Sequence, residues 1–107
     1  MEFLFIGWCN GVDKRTGVKH DKVWTVFKVG DDFFAGWGAR GKTLSFKNHG
    51  HNRWSKGPTD VLRKLIYDKE KKGYKKVDAF HLFSVFPNFE DTVDKQLMFK
   101  MLANKVL

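Results

Sequence analysis

Cys9 is the only cysteine in this chain, and Pro58 and Pro87 are its only prolines. A lone thiol excludes an internal disulfide and fits a reducing compartment. No apolar run approaches the roughly 20 residues that a membrane-spanning helix needs. The apolar opening MEFLFIGWC lacks the basic flank and the length of a secretory signal, so it is expected to be a first strand of a cytoplasmic protein. Catalytic context is also missing. Ser45, Ser55 and Ser84 stand in no nucleophile-elbow or triad pattern, and no glycine-rich phosphate loop is present. Glu90, Asp91 and Asp94 read as acids of a first helical turn rather than a catalytic pair. His49 and His51, with Cys9, His20 and His81, offer no zinc-ligand spacing. No enzyme activity, metal, cofactor or small-molecule substrate is therefore expected.

The most informative absence is of acid. No carboxylate separates Asp32 from Asp60, yet Arg40, Lys42, Lys47, Arg53 and Lys56 all fall in that interval. The formal net charge is +8 over 107 residues, and it is unevenly placed. Residues 1–32 balance, residues 33–77 carry the excess, and residues 78–107 are slightly acidic. A basic block of this kind implies an anionic partner, although small basic domains also use such charge for solubility. With 42% hydrophobic and 16% aromatic residues, the chain is expected to fold as one domain with a modest core rather than remain disordered.

Residues 22–47, KVWTVFKVGDDFFAGWGARGKTLSFK, are the organising stretch. Residues 22–29 are β-branched or aromatic on both faces, as a central strand is. Gly30, Asp31 and Asp32 supply a hairpin turn. Residues 32–40 form the next strand, with Trp37 between Gly36 and Gly38, whose missing side chains are expected to leave the indole uncovered. Residues 43–47 alternate, Leu44 and Phe46 on one face and Thr43, Ser45 and Lys47 on the other. Residues 10–21 form a polar connection in which Lys14, Arg15, Lys19 and His20 could meet phosphate, diluted by Asp13 and Asp21. In residues 48–57, NHGHNRWSKG, Trp54 either tucks onto the domain surface or stacks on a base or sugar beside Arg53 and Lys56.

A helix is expected next, with Gly57 as N-cap, Pro58 at its first position and Asp60 in its first turn. Its apolar stripe is Val61, Leu62, Leu65 and Ile66 with the stem of Lys69, and Gly73 with Tyr74 closes it. Residues 76–86 read as a strand, stopped by Pro87, after which Asn88 N-caps a second helix to Lys105. That helix carries Val93, Leu97, Met98, Met101 and Leu102 as its buried stripe. This strand-helix extension, residues 78–107, either covers the open face of the sheet or docks a partner.

The strands KVWTVFKV and FFAGWGARG, followed by LRKLIYDKEKKGY closing in Lys-Gly-Tyr, resemble the WGR domain, covering roughly residues 3–77. The resemblance implies an α+β fold, an antiparallel twisted sheet packed by one main helix, within a small standalone protein of bacterial or phage type. It also implies non-enzymatic binding of double-stranded DNA or its ends. Trp37 would pack on a nucleotide, and Gly38, Arg40, Lys42, Lys47, Arg53, Trp54 and Lys56 would complete the contact surface. The alternative is a protein-interaction module whose basic face grips an acidic host or DNA-processing protein. One departure stands out: the family reads Trp-Gly-Arg-x-Gly, whereas here Trp37-Gly38-Ala39-Arg40-Gly41 sets the arginine one place later. Regular alternation would put Arg40 on the face opposite Trp37. A bulge or early strand end between Gly38 and Gly41 is therefore expected, returning Arg40 to the side of Trp37.

Overall fold

The computed structural model describes residues 1–50 and 58–104, with side chains in the second stretch from residue 63 onward. The fold is α+β: a five-stranded antiparallel sheet with helices against both faces. In chain order the elements are β1 (Glu2–Val12), β2 (Lys19–Val29), β3 (Asp32–Ala39), β4 (Ser45–Gly50), α1 (Pro58–Lys71), β5 (Lys75–Lys76), α2 (Ala79–Ser84) and α3 (Phe89–Leu102). The strand order across the sheet is β4-β3-β2-β1-β5. No helix among the described residues is long and apolar enough to cross a membrane.

β2 is central, and its run Val23, Trp24, Thr25, Val26 and Phe27 is buried without a break. Such a run needs cover on both faces. The odd positions face one core, in which Phe27, Phe34, Leu44 and Phe46 meet Val93 and Leu97 of α3. The even positions face the other, in which Trp24 and Val26 join Phe5 and Ala35 under Leu65, Ile66 and Tyr74 from α1 and its exit. Thr25 is the buried polar exception, and its hydroxyl donates to the Phe5 carbonyl at 2.8 Å. The C-terminal extension thus covers the second sheet face, the first of its two expected roles.

The β2–β3 turn is Gly30-Asp31, flanked by the Val29–Asp32 pair, with positive φ at Gly30 alone of the two. That is the type II′ hairpin pattern. The end of α1 is equally local in origin. Gly73 takes φ 101°, its N–H donates to the Glu70 carbonyl, and the Tyr74 N–H reaches back to that of Lys69 at 3.1 Å. These two bonds define a Schellman motif. Gly57, the expected cap at the other end, lies outside the described residues.

Three expectations are corrected. Residues 76–86 do not form a strand: β5 is two residues long, and α2 follows it. The aromatic run resembles strand composition, but the Asp78 carboxylate accepts the His81 N–H at 2.8 Å, and the Leu82 N–H donates to the Asp78 carbonyl. Together they start a helical turn. Asn88 precedes α3 in the left-handed region (φ 59°) and makes no side-chain cap, so it acts as a turn residue. Finally, of the stripe expected on α3, only Val93 and Leu97 are buried, whereas Met98, Met101 and Leu102 are exposed.

Candidate nucleic-acid interface

Trp37 lies on β3, opposite Trp24 of β2 and Ser45 of β4. Alternation puts it on the α1 side of the sheet with Ala35, and it is 39% exposed. Its glycine neighbours do not uncover it, contrary to the sequence expectation, because adjacent residues of a strand point to opposite faces. They serve the other core instead. A Cβ at Gly36 would stand 2.9 Å from the Phe46 ring, and one at Gly38, where φ is 155°, would stand 3.2 Å from Leu44.

The same alternation assembles cations around Trp37. Lys22 pairs with Ala39 and Lys47 with Ala35, so both exposed lysines share its face. Lys28 sits opposite Phe33 with its Nζ 5.9 Å from the ring centroid. From α1, the Lys69 Nζ lies 5.5 Å from the Trp24 centroid. Burial, followed by repulsion from Lys72, holds the Lys69 pKa below its ordinary value. On this side of β2, β3 and β4 the described positions supply lysines, aromatics and small residues, and no carboxylate. The acids nearby are exposed: Asp68 and Glu70 of α1, and Glu2 of β1, which pairs with Lys28.

Arg40 is elsewhere. β3 does end early, at Ala39, but its register with β2 runs without a shift from Val29–Asp32 to Lys22–Ala39, so no bulge forms. The Arg40 N–H donates to the Asp21 carbonyl at 2.9 Å. Its Nε reaches both carboxylate oxygens of Asp21 at 3.0 Å, and a terminal nitrogen lies 2.8 Å from Oδ2. The Trp8 indole N–H donates to the same carboxylate at 2.7 Å, and the guanidinium sits 5.9 Å from the Trp8 ring centroid. Trp8 packs edge-on against Phe86, on the α2–α3 side. Arg40 and Trp37 therefore occupy opposite sides of the sheet. The hydrogen bond from Arg40 holds the Asp21 carboxyl below its ordinary pKa, helped by that from Trp8, and Asp21 in turn raises that of Arg40.

Of the other expected contact residues, Lys42 is exposed in the turn after β3, where its N–H donates to the Ala39 carbonyl at 3.1 Å. Arg53, Trp54 and Lys56 lie outside the described residues. The structure adds Lys22, Lys28 and Lys69 to the face of Trp37. Lys22 and Lys28 were legible in principle, because they share the parity of Trp24 on a strand whose centre was clear. Lys69 was assigned only by its stem. Among the described residues, no three of His, Cys, Asp and Glu gather as metal ligands would. No family model matches the chain, and neither a curated protein nor a solved structure does.

Proposed function

We propose that this protein is a non-enzymatic nucleic-acid-binding module of WGR-like type, acting on double-stranded DNA or its ends through the α1 side of its sheet. The observation that carries this reading is a partly exposed Trp37 set among Lys22, Lys47 and Lys69 on a face to which β2, β3 and β4 bring no carboxylate, although Glu2 of β1 stands opposite Lys28. Lysines neutralise phosphates and release counterions, which gives affinity without sequence preference. An indole with an open face adds stacking, about 1–3 kcal/mol per base in single-strand binders. At a duplex end the terminal base or sugar presents such a face. Arg40, committed to Asp21, does not take the phosphate contact of the family's arginine, and Lys22, Lys42 and Lys47 take its place. Lone thiol chemistry at Cys9 is compatible with a cytoplasmic setting.

The test is a titration of duplexes with and without free ends at two salt concentrations. Trp37→Ala is expected to weaken binding to ends while circular dichroism stays unchanged. Charge reversal at Lys22 and Lys47 is expected to flatten the salt slope by about one unit per lost phosphate contact. Equal losses from reversing Lys95 and Lys100, on the opposite side, would defeat the localisation. Recovery of a bound protein that survives nuclease treatment, with no DNA affinity, would favour the protein-interaction alternative.

A further inference from the structure

α3 has apolar residues on both sides. Val93 and Leu97 close the core, while Met98, Phe99, Met101 and Leu102 stand exposed, Leu102 at 82%. The outer side of α3 is charged in its first half and apolar in its second, and no described residue covers that apolar half. Asp91, Lys95, Met98 and Leu102 form its outward stripe at i, i+4, i+7 and i+11 spacing, with Asp94 and Phe99 flanking it. Beside the N-terminal half of α3 lies an apolar groove of about 760 Å³, lined by Leu82, Phe83, Phe86, Pro87 and Phe89 and rimmed by Glu90 and Asp91. Phe83 on its wall is 84% exposed.

We infer that this face is the interface of a two-fold dimer in which α3 packs antiparallel against α3 of a second copy. A two-fold contact needs one patch that complements itself, and α3 supplies both halves. The groove and the acids Glu90, Asp91 and Asp94 lie toward its start, and the projecting Phe99 and Leu102 lie toward its end. Pairing centred between Asp94 and Lys95 sets Asp94 of each copy against Lys95 of the other. It also lays Leu102 of each into the other's groove at Pro87. Within one copy Lys95 is paired with Asp91 at 3.1 Å, while Asp94 is exposed and has no partner among the described residues. Net charge selects the same face. The chain carries +8, but residues 78–107 are slightly acidic, so two copies can meet here without the repulsion that opposes contact through their basic faces.

Sedimentation equilibrium of the full chain tests this. A concentration-dependent dimer is expected, and Leu102→Glu should raise its dissociation constant by tenfold or more, about what a buried interface anchor supplies. Asp94→Lys should weaken it as well, and the double swap Asp94→Lys with Lys95→Asp should restore it, because the pair across the axis is rebuilt with opposite sense. Circular dichroism and thermal unfolding confirm that each variant folds; the three positions are exposed, and among them only Lys95→Asp removes a contact within the monomer, its exposed pair with Asp91. A wild-type chain that stays monomeric up to about 1 mM would overturn the proposal. So would a dimer indifferent to Leu102→Glu, or one weakened by Asp94→Lys that the double swap fails to rescue.

Discussion

Asp21 accepts hydrogen bonds from the Arg40 guanidinium, just past the end of β3, and from the Trp8 indole on β1, on either side of β2. Asp21 lies on β2 between β1 and β3, so its carboxylate ties β1 and the residue after β3 to the central strand. Its folded pKa lies below the ordinary 3.8, through the bond to Arg40 first. A depressed carboxylate contributes stability that is present above its unfolded pKa and is lost as pH falls toward and through the folded value. Asp21→Asn is therefore expected to lower the melting temperature modestly at neutral pH, since the pair is about one-third exposed. The two melting curves should converge as pH drops below about 4. A difference that persists unchanged into strong acid would show that the carboxylate charge is not what matters. The glycine beside Trp37 makes a second residue-scale case. Because its open side faces Phe46 at 2.9 Å rather than the indole, Gly36→Ala should cost about 1–3 kcal/mol by overpacking. Its effect should appear in chemical denaturation and leave the exposure of Trp37 to quenchers unaltered. Loss of quencher access without loss of stability would reverse that assignment.

At the scale of elements, α3 separates two kinds of leucine. Leu97 is buried among Phe27, Phe34 and Val93, and Leu102 projects from the other side. Leu97→Ala is expected to destabilise the fold by about 2–5 kcal/mol, whereas Leu102→Ala should leave monomer stability within about 0.5 kcal/mol of wild type. Denaturant midpoints measured at low protein concentration decide this, and equal costs would mean that the helix is rotated from the position described. Sequence could not separate the two, because an apolar stripe on each side of a helix gives no single face to read. Where the signal was local, the reading succeeded. The unbroken run in β2, the Gly30 turn and the Gly73–Tyr74 helix end each follow from a few adjacent residues. α2 was misread because its phenylalanines suit a strand, and only the bond between Asp78 and His81 decides otherwise. The side taken by Arg40 was illegible for another reason. It depends on Asp21, nineteen positions away, and no alternation rule includes that partner. The lysines around Trp37 lie between these cases, since parity along β2 placed them but their cross-strand neighbours had to be known.

For the molecule as a whole, the sheet separates two surfaces of different chemistry. On the α1 side lie Trp37 and the lysines, and on the other lies α3 with its exposed apolar stripe. Pairing two copies through α3 stacks the layers as α1, sheet, α3, α3, sheet, α1, so both basic faces look outward and away from each other. One nucleic acid cannot then lie along both faces at once without wrapping the dimer, and two separate duplexes can each take one. On the proposed function, the consequence is bridging rather than avidity on a single short duplex. Two short blunt duplexes carrying different fluorophores, mixed with wild-type protein, should come into energy-transfer range or co-sediment. Leu102→Glu should keep the affinity for one duplex, because Trp37, Lys22 and Lys47 are untouched, and lose the bridging. Trp37→Ala should lose both in proportion to its weaker binding. If Leu102→Glu bridges as well as wild type, the two faces are not joined through α3. If it fails to bind even one duplex, the DNA surface extends to the helix that the charge distribution excludes, because residues 78–107 carry more acid than base.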